Sequence, residues 1–389
     1  MASLHVERKA DGSRRYVVRY RTPDRKHRKR RFRRRGEAER FMNAVENSKA
    51  EGLFVDPKAG RQTFGDFAAK WLATKVDVRP RTLVNLEGRL RNHVLPTFGG
   101  RPIGSITPED VREWVADLVR TGLSADTVKA VFLTASQVFD TAEVDRVIGR
   151  SPCVPMRRKL PRPKVRAEML FLDDHQVDAL VSAVDRRYRV LVLMAAYTGA
   201  RAGELEALRV ERVNWLRRRF HVVETLSEVR GELRFGGTKT TGSTRWVPMP
   251  SFVVDELRAH VGAYPSPERL VFTSAEGGPV RHRNFMARHF KPAVRRAGLP
   301  AGLRFHDLRH TAAAFMIAEG ASMEQVKQIL GHSTIRVTSD TYGHLFDDHA
   351  DPLMAALDAR RSEAPASKAR PNHVVDLAGT RISAGRNRR

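Results

Sequence analysis

The chain has 389 residues, room for two or three domains rather than one, and 41% of them are hydrophobic, enough for packed cores. Lys and Arg number 70 against 44 acidic residues, a formal charge of +26, and such an excess favours a polyanionic partner because each cation laid on a phosphate releases a condensed counterion. Cys153 is the only cysteine, which excludes an intrachain disulfide and a cysteine metal cluster; the apolar run Val190–Tyr197 is far too short to span a bilayer, and the first residues carry no apolar signal segment, so the expectation is a reduced, cytoplasmic protein.

Residues 1–58 read as a small basic module. Tyr16, Val18 and Tyr20 alternate with Val17, Arg19 and Arg21, which is strand periodicity, and Thr22-Pro23-Asp24 offers a turn. A second extended stretch, Lys29 to Arg35, is expected to carry Arg31, Arg33 and Arg35 on one face and Phe32 on the other. From Glu37 the period becomes helical, with Ala38, Phe41, Met42 and Val45 in one stripe. The first 40 residues hold 16 Lys or Arg against 5 Asp or Glu. A charge run of that kind is usually a solvated tail. Here the aromatic and aliphatic residues give it something to bury, and the expectation is a folded sheet-plus-helix unit whose Arg19, Arg21, Arg31, Arg33 and Arg35 contact DNA.

Residues 63–150 read as a helical bundle. Thr63 caps a helix striped by Phe64, Phe67, Ala68 and Trp71; Leu83, Leu86 and Leu90 continue the pattern after Pro80; Thr107-Pro108 sets a cap and a first-turn proline; and Ser124 opens a helix striped by Val128, Val131, Phe132, Ala135 and Phe139. Such stripes are core, and no chemistry attaches to them. Residues 151–168 hold four prolines and six basic residues, the composition of an extended linker. Residues 169–350 form the largest domain, with helices on either side of an extended region at about 219–249. After a short apolar patch (Leu353, Met354, Leu357), residues 351–389 turn Ala/Ser/Arg-rich, the composition of a largely disordered tail.

Four stretches of the large domain concentrate polar groups where a core would not. In Thr-Gly-Ala-Arg-Ala-Gly-Glu-Leu (198–205) a hydrophobic helix stops at Gly199, delivering Arg201 in a tight turn with Glu204 three residues on to hold its guanidinium. The Gly/Thr-rich stretch 236–245 places Lys239 on a hairpin. In His-Asp-Leu-Arg-His (306–310), His306 and Arg309 share a helix face. In the fourth, Ser322 and Gln325 box a helix that Gly331 ends; His332 follows the stop, and Tyr342 arrives ten residues later in a polar helical stretch.

Each residue alone has a bland reading: an arginine in a salt bridge, a satisfied histidine, a packed tyrosine. His306 and His310 also stand at zinc-site spacing, but the Glu of a zinc peptidase helix is missing and Arg309 would repel a dication. Together the residues suit metal-free and cofactor-free phosphoryl transfer. Two guanidiniums, Arg201 and Arg309, stabilise the extra negative charge of a pentavalent phosphodiester, and His332 donates a further bond. His306 accepts a proton or orients the phosphate, Lys239 protonates the leaving 5′-oxygen, and Tyr342, with a phenol pKa near 10, is the nucleophile.

The order Arg201, Lys239, His306-x-x-Arg309, His332, Tyr342, with Lys-Thr…Arg-x-Val-Pro and Thr-x-x-Tyr-Gly-His, resembles the tyrosine recombinase (phage integrase) family over about 150 residues. The resemblance implies a mainly α protein: an α+β catalytic domain with a small antiparallel sheet, preceded by a helical core-site-binding domain (63–150) and a small N-terminal β-sheet-plus-helix arm-site-binding domain (1–58). It implies cleavage of double-stranded DNA through a 3′-phosphotyrosine, a homotetramer on DNA, and partners such as a directionality factor or a host DNA-bending protein. A type IB topoisomerase and a non-catalytic DNA-binding regulator are the readings of other classes. The intact set of six residues disfavours the regulator, and the basic N-terminal module disfavours both the topoisomerase and a chromosome- or plasmid-dimer resolvase.

Overall fold

The computed structural model describes residues 2–8, 12–21, 27–50, 59–161, 169–237 and 244–343, with Leu345, Met354, Ala355, Asp358 and Ala359 beyond them. The architecture is mainly α, and two compact units make it up. The first takes residues 1–168 and the hairpin tip Ser227–Arg234; the second takes the remainder from Met169.

The first unit contains two separate hydrophobic cores. Strands β1 (Ser3–Arg8), β2 (Arg14–Arg21) and β3 (His27–Phe32) form an antiparallel sheet in that order, covered on one face by α1 (Arg35–Ala50). Val18 and Tyr20 pack against Ala38 and Val45, with Phe32 and Phe41 beside them. The strand and helix assignments hold, but the arginine face departs from expectation. The strand ends at Phe32, whose ring meets Phe41 5.2 Å away, so only Arg31 rides on it. Arg33 lies in the bend and Arg35 opens α1, bonded to Glu39. An arginine run has no in/out preference to set its period, so the aromatic contact decides where the strand stops. Cross-strand pairing instead joins Arg19 to Lys29, Arg21 to His27 and Val17 to Arg31 on the sheet face away from α1.

The second core belongs to α2 (Phe64–Ala73), α3 (Pro80–Arg89), α4 (Leu95–Phe98), α5 (Pro108–Arg120) and α6 (Ala125–Val144). Thr63, Thr107 and Ser124 cap α2, α5 and α6 through their side chains, as their positions predict. Between α3 and α4 the helix widens into a π turn, Leu90–Val94, just ahead of Pro96, which has no N–H for the regular ladder. The same arrangement recurs in the other unit, where the π turn Met286–Phe290 precedes Pro292. The expected linker begins later than its prolines suggest. Cys153 and Met156 are buried in the helical core, Val154–Met156 make a 3-10 turn, and the Ser151 N–H donates to Glu143 Oε2 at 2.8 Å. Prolines set the composition there without keeping the neighbouring apolar side chains out. The stretch 162–168 falls outside the described residues, as does most of the tail after Asp351.

The second unit is built round α8 (Arg189–Thr198), apolar on every side and therefore central. Packed on or near it are α7 (Asp174–Ala183), α9 (Ala202–Glu206), α10 (Ser251–Ala263), α11 (His282–Phe285), α12 (Lys291–Arg296) and α13 (Asp307–Ala318). Strands β4 (Val213–Asn214), β5 (Arg219–Val222) and β8 (Arg245–Pro248) form an antiparallel sheet, β4-β5-β8; β6 (Glu224–Val229) and β7 (Glu232–Gly237) pair as a separate ribbon. Two further helices, α14 (Met323–Leu330) and α15 (Ile335–Tyr342), end the described fold. Among the described residues no helix is long and apolar enough to cross a membrane.

Helix α8 stops at Gly199, whose φ of +65° is left-handed and whose missing Cβ would lie 2.4 Å from Leu330 Cδ2 and 3.2 Å from the Ala312 Cβ. Gly199→Ala is expected to lower stability by about 2 kcal/mol, combining the left-handed backbone with that contact. A urea midpoint matching the parent protein's would contradict this account of the turn.

Candidate active site

The site gathers at the C-terminal end of α14. Ser322 and Gln325 box the start of this helix, and Gly331, at φ +69°, stops it. The last carbonyls of any helix lack intrahelical partners and carry the negative end of its dipole. Here three successive ones are taken by three arginines from three other elements. Arg245 Nε donates to the Ile329 carbonyl at 2.7 Å, Arg309 Nη2 to that of Leu330 at 2.7 Å, and Arg201 Nη2 to that of Gly331 at 3.4 Å. Arg309 also donates to the Gly199 carbonyl at 2.6 Å, so one guanidinium ties together the ends of α8 and α14.

Glu204 balances part of this charge. It is buried at 6% exposure and accepts from Arg201 Nη1 at 2.8 Å and from Arg245 Nη2 and Nη1 at 2.9 and 3.2 Å. Its second role is local. At the third position of α9 it reaches back to the Arg201 N–H at 3.0 Å, the return half of a capping box. Burial pushes this carboxyl's pKa up, but Arg245 and Arg201 outweigh it and hold the group below its ordinary value. Among the described residues three guanidiniums gather at this one carboxylate, an excess of positive charge. In Arg309, burial and the neighbouring Arg201 depress the guanidinium pKa below its usual range. Such a cluster is chemically suited to an anion, since an arginine fork matches the oxygens of a phosphate.

His332 follows Gly331 directly. Its imidazole is pushed down to about 4 by burial and by Arg309, Arg201 and Arg245, so it is neutral at pH 7, and its Nδ1 bonds Thr338 Oγ1 at 2.9 Å. His306 sits at the N-cap of α13 on an exposed rim rather than inside the helix. Partial burial of the ring, with His310 and Arg309, also lowers its pKa. Tyr342, the last residue of α15, is 1% exposed and packs on Ala313, Ile317, Val326 and Leu330. Its ring lies parallel to His332 at 6.3 Å, and its hydroxyl bonds His310 Nδ1 at 2.8 Å. Burial raises the phenol to about 12, against the pull of Arg309.

Five of the six residues singled out in the sequence, Arg201, His306, Arg309, His332 and Tyr342, thus belong to one unit with Glu204 among them; Lys239 lies outside the described residues. Two participants were not given a role by sequence reasoning. Arg245 had a usable signal: in a strand it shares a face with Val247, so a charge stands on the buried side, and the structure finds it 9% exposed. His310 was weighed only as a metal partner, and its contact with Tyr342 spans 32 residues of chain.

Two family models match the chain: "Phage integrase family" over residues 170–349 and "Phage integrase, N-terminal SAM-like domain" over residues 63–119. A protein named tyrosine recombinase XerC-like from Caldanaerobacter subterraneus is 26% identical over 337 residues, 79% of this chain and 84% of that protein. The ICEBs1 integrase of Bacillus subtilis is 25% identical over 81% of this chain and 91% of its own length, and the integrase of Mycobacterium phage L5 is 27% identical over 71% and 73%. The fold is shared with the Tn1549 transposon integrase solved with transposon right-end DNA (TM-score 0.67, 22% identity, 76% of this chain and 100% of that one). It is shared also with a lambda integrase dimer on a core site (TM-score 0.57, 17% identity, 74% and 97%). The chain belongs to the phage integrase family of tyrosine recombinases, enzymes of site-specific recombination.

Removing the buried carboxylate while keeping its shape is a direct test of the cluster. Glu204→Gln leaves Arg201 and Arg245 facing each other without a counter-charge and should destabilise the protein by about 3 kcal/mol. An unchanged urea midpoint would mean that the arginines do not depend on Glu204.

Proposed function

We propose that this recombinase cuts and rejoins double-stranded DNA through a 3′-phosphotyrosine on Tyr342, to integrate or excise a mobile element. The observation that carries the reading is a buried tyrosine hydroxyl in the same unit as an arginine cluster with surplus positive charge. In this reading Arg201 and Arg309 hold the non-bridging oxygens of the scissile phosphate, and His332 and His306 stand beside them. Lys239 protonates the departing 5′-oxygen. The bond energy stays in the protein–DNA link, so the cycle runs without a metal, a cofactor or ATP. Relatives named as integrases of a phage and of ICEBs1 support a mobile element over dimer resolution.

The domains divide the labour as follows. Residues 169–350 carry the chemistry, residues 63–150 hold the core site, and residues 1–58 hold an arm-type site. The sheet face with Arg19, Arg21, Lys29 and Arg31 supports the last assignment, since an antiparallel ribbon fits the major groove and its cations meet phosphates. Arg33, in the bend, and Arg35, in the first turn of α1, are exposed and add further cations to the module. On DNA four copies act together, as in the lambda integrase tetramer solved on a Holliday junction, with a directionality factor or host bending protein as further partners and the cytoplasm as the site of action.

Tyr342→Phe should bind its site with nearly unchanged affinity and form no covalent complex on a nicked suicide substrate, read on a denaturing gel. A trapped adduct with this variant would overturn the assignment of the nucleophile. A chain beginning at Gly60 should still form the Tyr342 adduct on an isolated core site yet lose efficient recombination of complete attachment sites. Recombination at the parent rate would remove the arm-binding role of residues 1–58.

A further inference from the structure

We infer that His310 takes the proton from the Tyr342 hydroxyl during cleavage and returns it during rejoining. The inference rests on the proposed role of Tyr342 and concerns a residue with no part in the phosphate-holding set.

Among the described residues two imidazoles meet the tyrosine and a third stands behind one of them, and geometry separates them. His332 lies parallel to the ring, and its Nδ1 is bonded to Thr338. His306 is exposed at the rim, one ring removed, meeting His310 edge-on at 5.2 Å. His310 alone among the described residues bonds the hydroxyl, Nδ1 to Oη at 2.8 Å, and its ring is packed edge-to-face against Tyr342 at 5.6 Å and Phe171 at 6.5 Å. Both partners are fixed by helices that share a core: α13 supplies Ala313 and Ile317, α14 supplies Val326 and Leu330, and the tyrosine ring fills the space between them.

The charges and burial around the pair set its protonation state before cleavage. Among the described residues, the titratable and charged groups around His310 are Asp307, Arg309 and His306 from its own helix and N-cap, Arg304 just before them, and Tyr342 from α15. Burial, only partly offset by Asp307, lowers its pKa, and Arg304 and Arg309 lower it further, so the ring is neutral at pH 7 with a lone pair to offer. The phenol, raised to about 12, does not ionise beforehand. Its proton must leave as the bond to phosphorus forms, and the acceptor must already be in hydrogen-bond reach.

The step balances without any further reagent. Tyr342 Oη bonds to phosphorus while the P–O5′ bond breaks; the Oη proton moves to His310 Nδ1, and the O5′ oxygen takes a proton from Lys239. On rejoining, a 5′-hydroxyl bonds to phosphorus and gives its proton to the Lys239 amine, while Tyr342 Oη leaves and recovers its proton from His310.

The test uses the full-length protein and single-turnover cleavage of a nicked suicide substrate. His310→Ala should bind the site normally and cleave at least ~100-fold more slowly, the scale of a lost general base. Added imidazoles should restore the rate in proportion to their basicity. His310→Asn, which offers a hydrogen-bonding group near the Nδ1 position but no base, should remain slow, and its folding checks that the loss is chemical. Full activity of His310→Asn would mean that the residue only orients the hydroxyl. Cleavage by His310→Ala at or above the parent rate would mean that the bond merely parks the tyrosine, and slow cleavage unmoved by imidazoles would also overturn proton transfer. Tyr342→Phe is run alongside: an adduct from that variant sinks the parent reading instead, so the two failures are distinct.

Discussion

The carbonyl end of α14 organises the candidate site. A helix C-terminus is a weak negative pole with unmet acceptors, and here Arg245, Arg309 and Arg201 each answer one carbonyl in turn. Because the three come from β8, α13 and the turn before α9, a single helix end fixes elements far apart in sequence. The arrangement depends on Gly331. A Cβ there would stand 2.9 Å from the Arg245 side chain, on a backbone that side chains rarely adopt.

Burying the Arg245 and Arg309 guanidiniums is costly unless each is hydrogen-bonded and at least partly neutralised. The helix carbonyls supply the hydrogen bonds and Glu204 supplies one counter-charge, which leaves a standing demand for an anion. That demand connects the packing to the proposed chemistry. In the proposed reaction a scissile phosphate would supply the missing negative charge, and the increment that develops in a pentavalent transition state would meet donors already in place, with no reorganisation at the moment of reaction. Burial, joined by the same field, keeps His332 neutral, and the field partly offsets the burial that raises Tyr342.

Much of this was legible because the helix stops are written in the sequence. Gly199 and Gly331 mark where α8 and α14 end, and a residue just past such a stop, Arg201 or His332, is presented at a helix terminus rather than packed on a face. The caps at Thr63, Thr107, Ser124 and Ser322 were equally readable, since each depends on neighbours within one turn. What stayed hidden depends on distant contacts. The pairing of Arg245 with Glu204 joins residues 41 apart, and that of His310 with Tyr342 joins residues 32 apart. The end of β3 was misplaced because an arginine run carries no periodic signal, and the burial of Cys153 and Met156 was masked by the prolines around them.

The pocket's surplus charge can be tested by removing the charge from the substrate. If Arg201 and Arg309 act by neutralising a phosphate, a neutral methylphosphonate at the scissile position asks less of them. Single-turnover cleavage by Arg201→Ala and Arg309→Ala, each relative to the parent protein, should be compared on phosphate and methylphosphonate DNA. The account predicts a severe defect on phosphate, roughly 10³-fold by analogy with other transition-state arginines, that shrinks markedly on the neutral substrate. An equal defect on both would contradict it, and the arginines would then serve the fold rather than the charge of the phosphate.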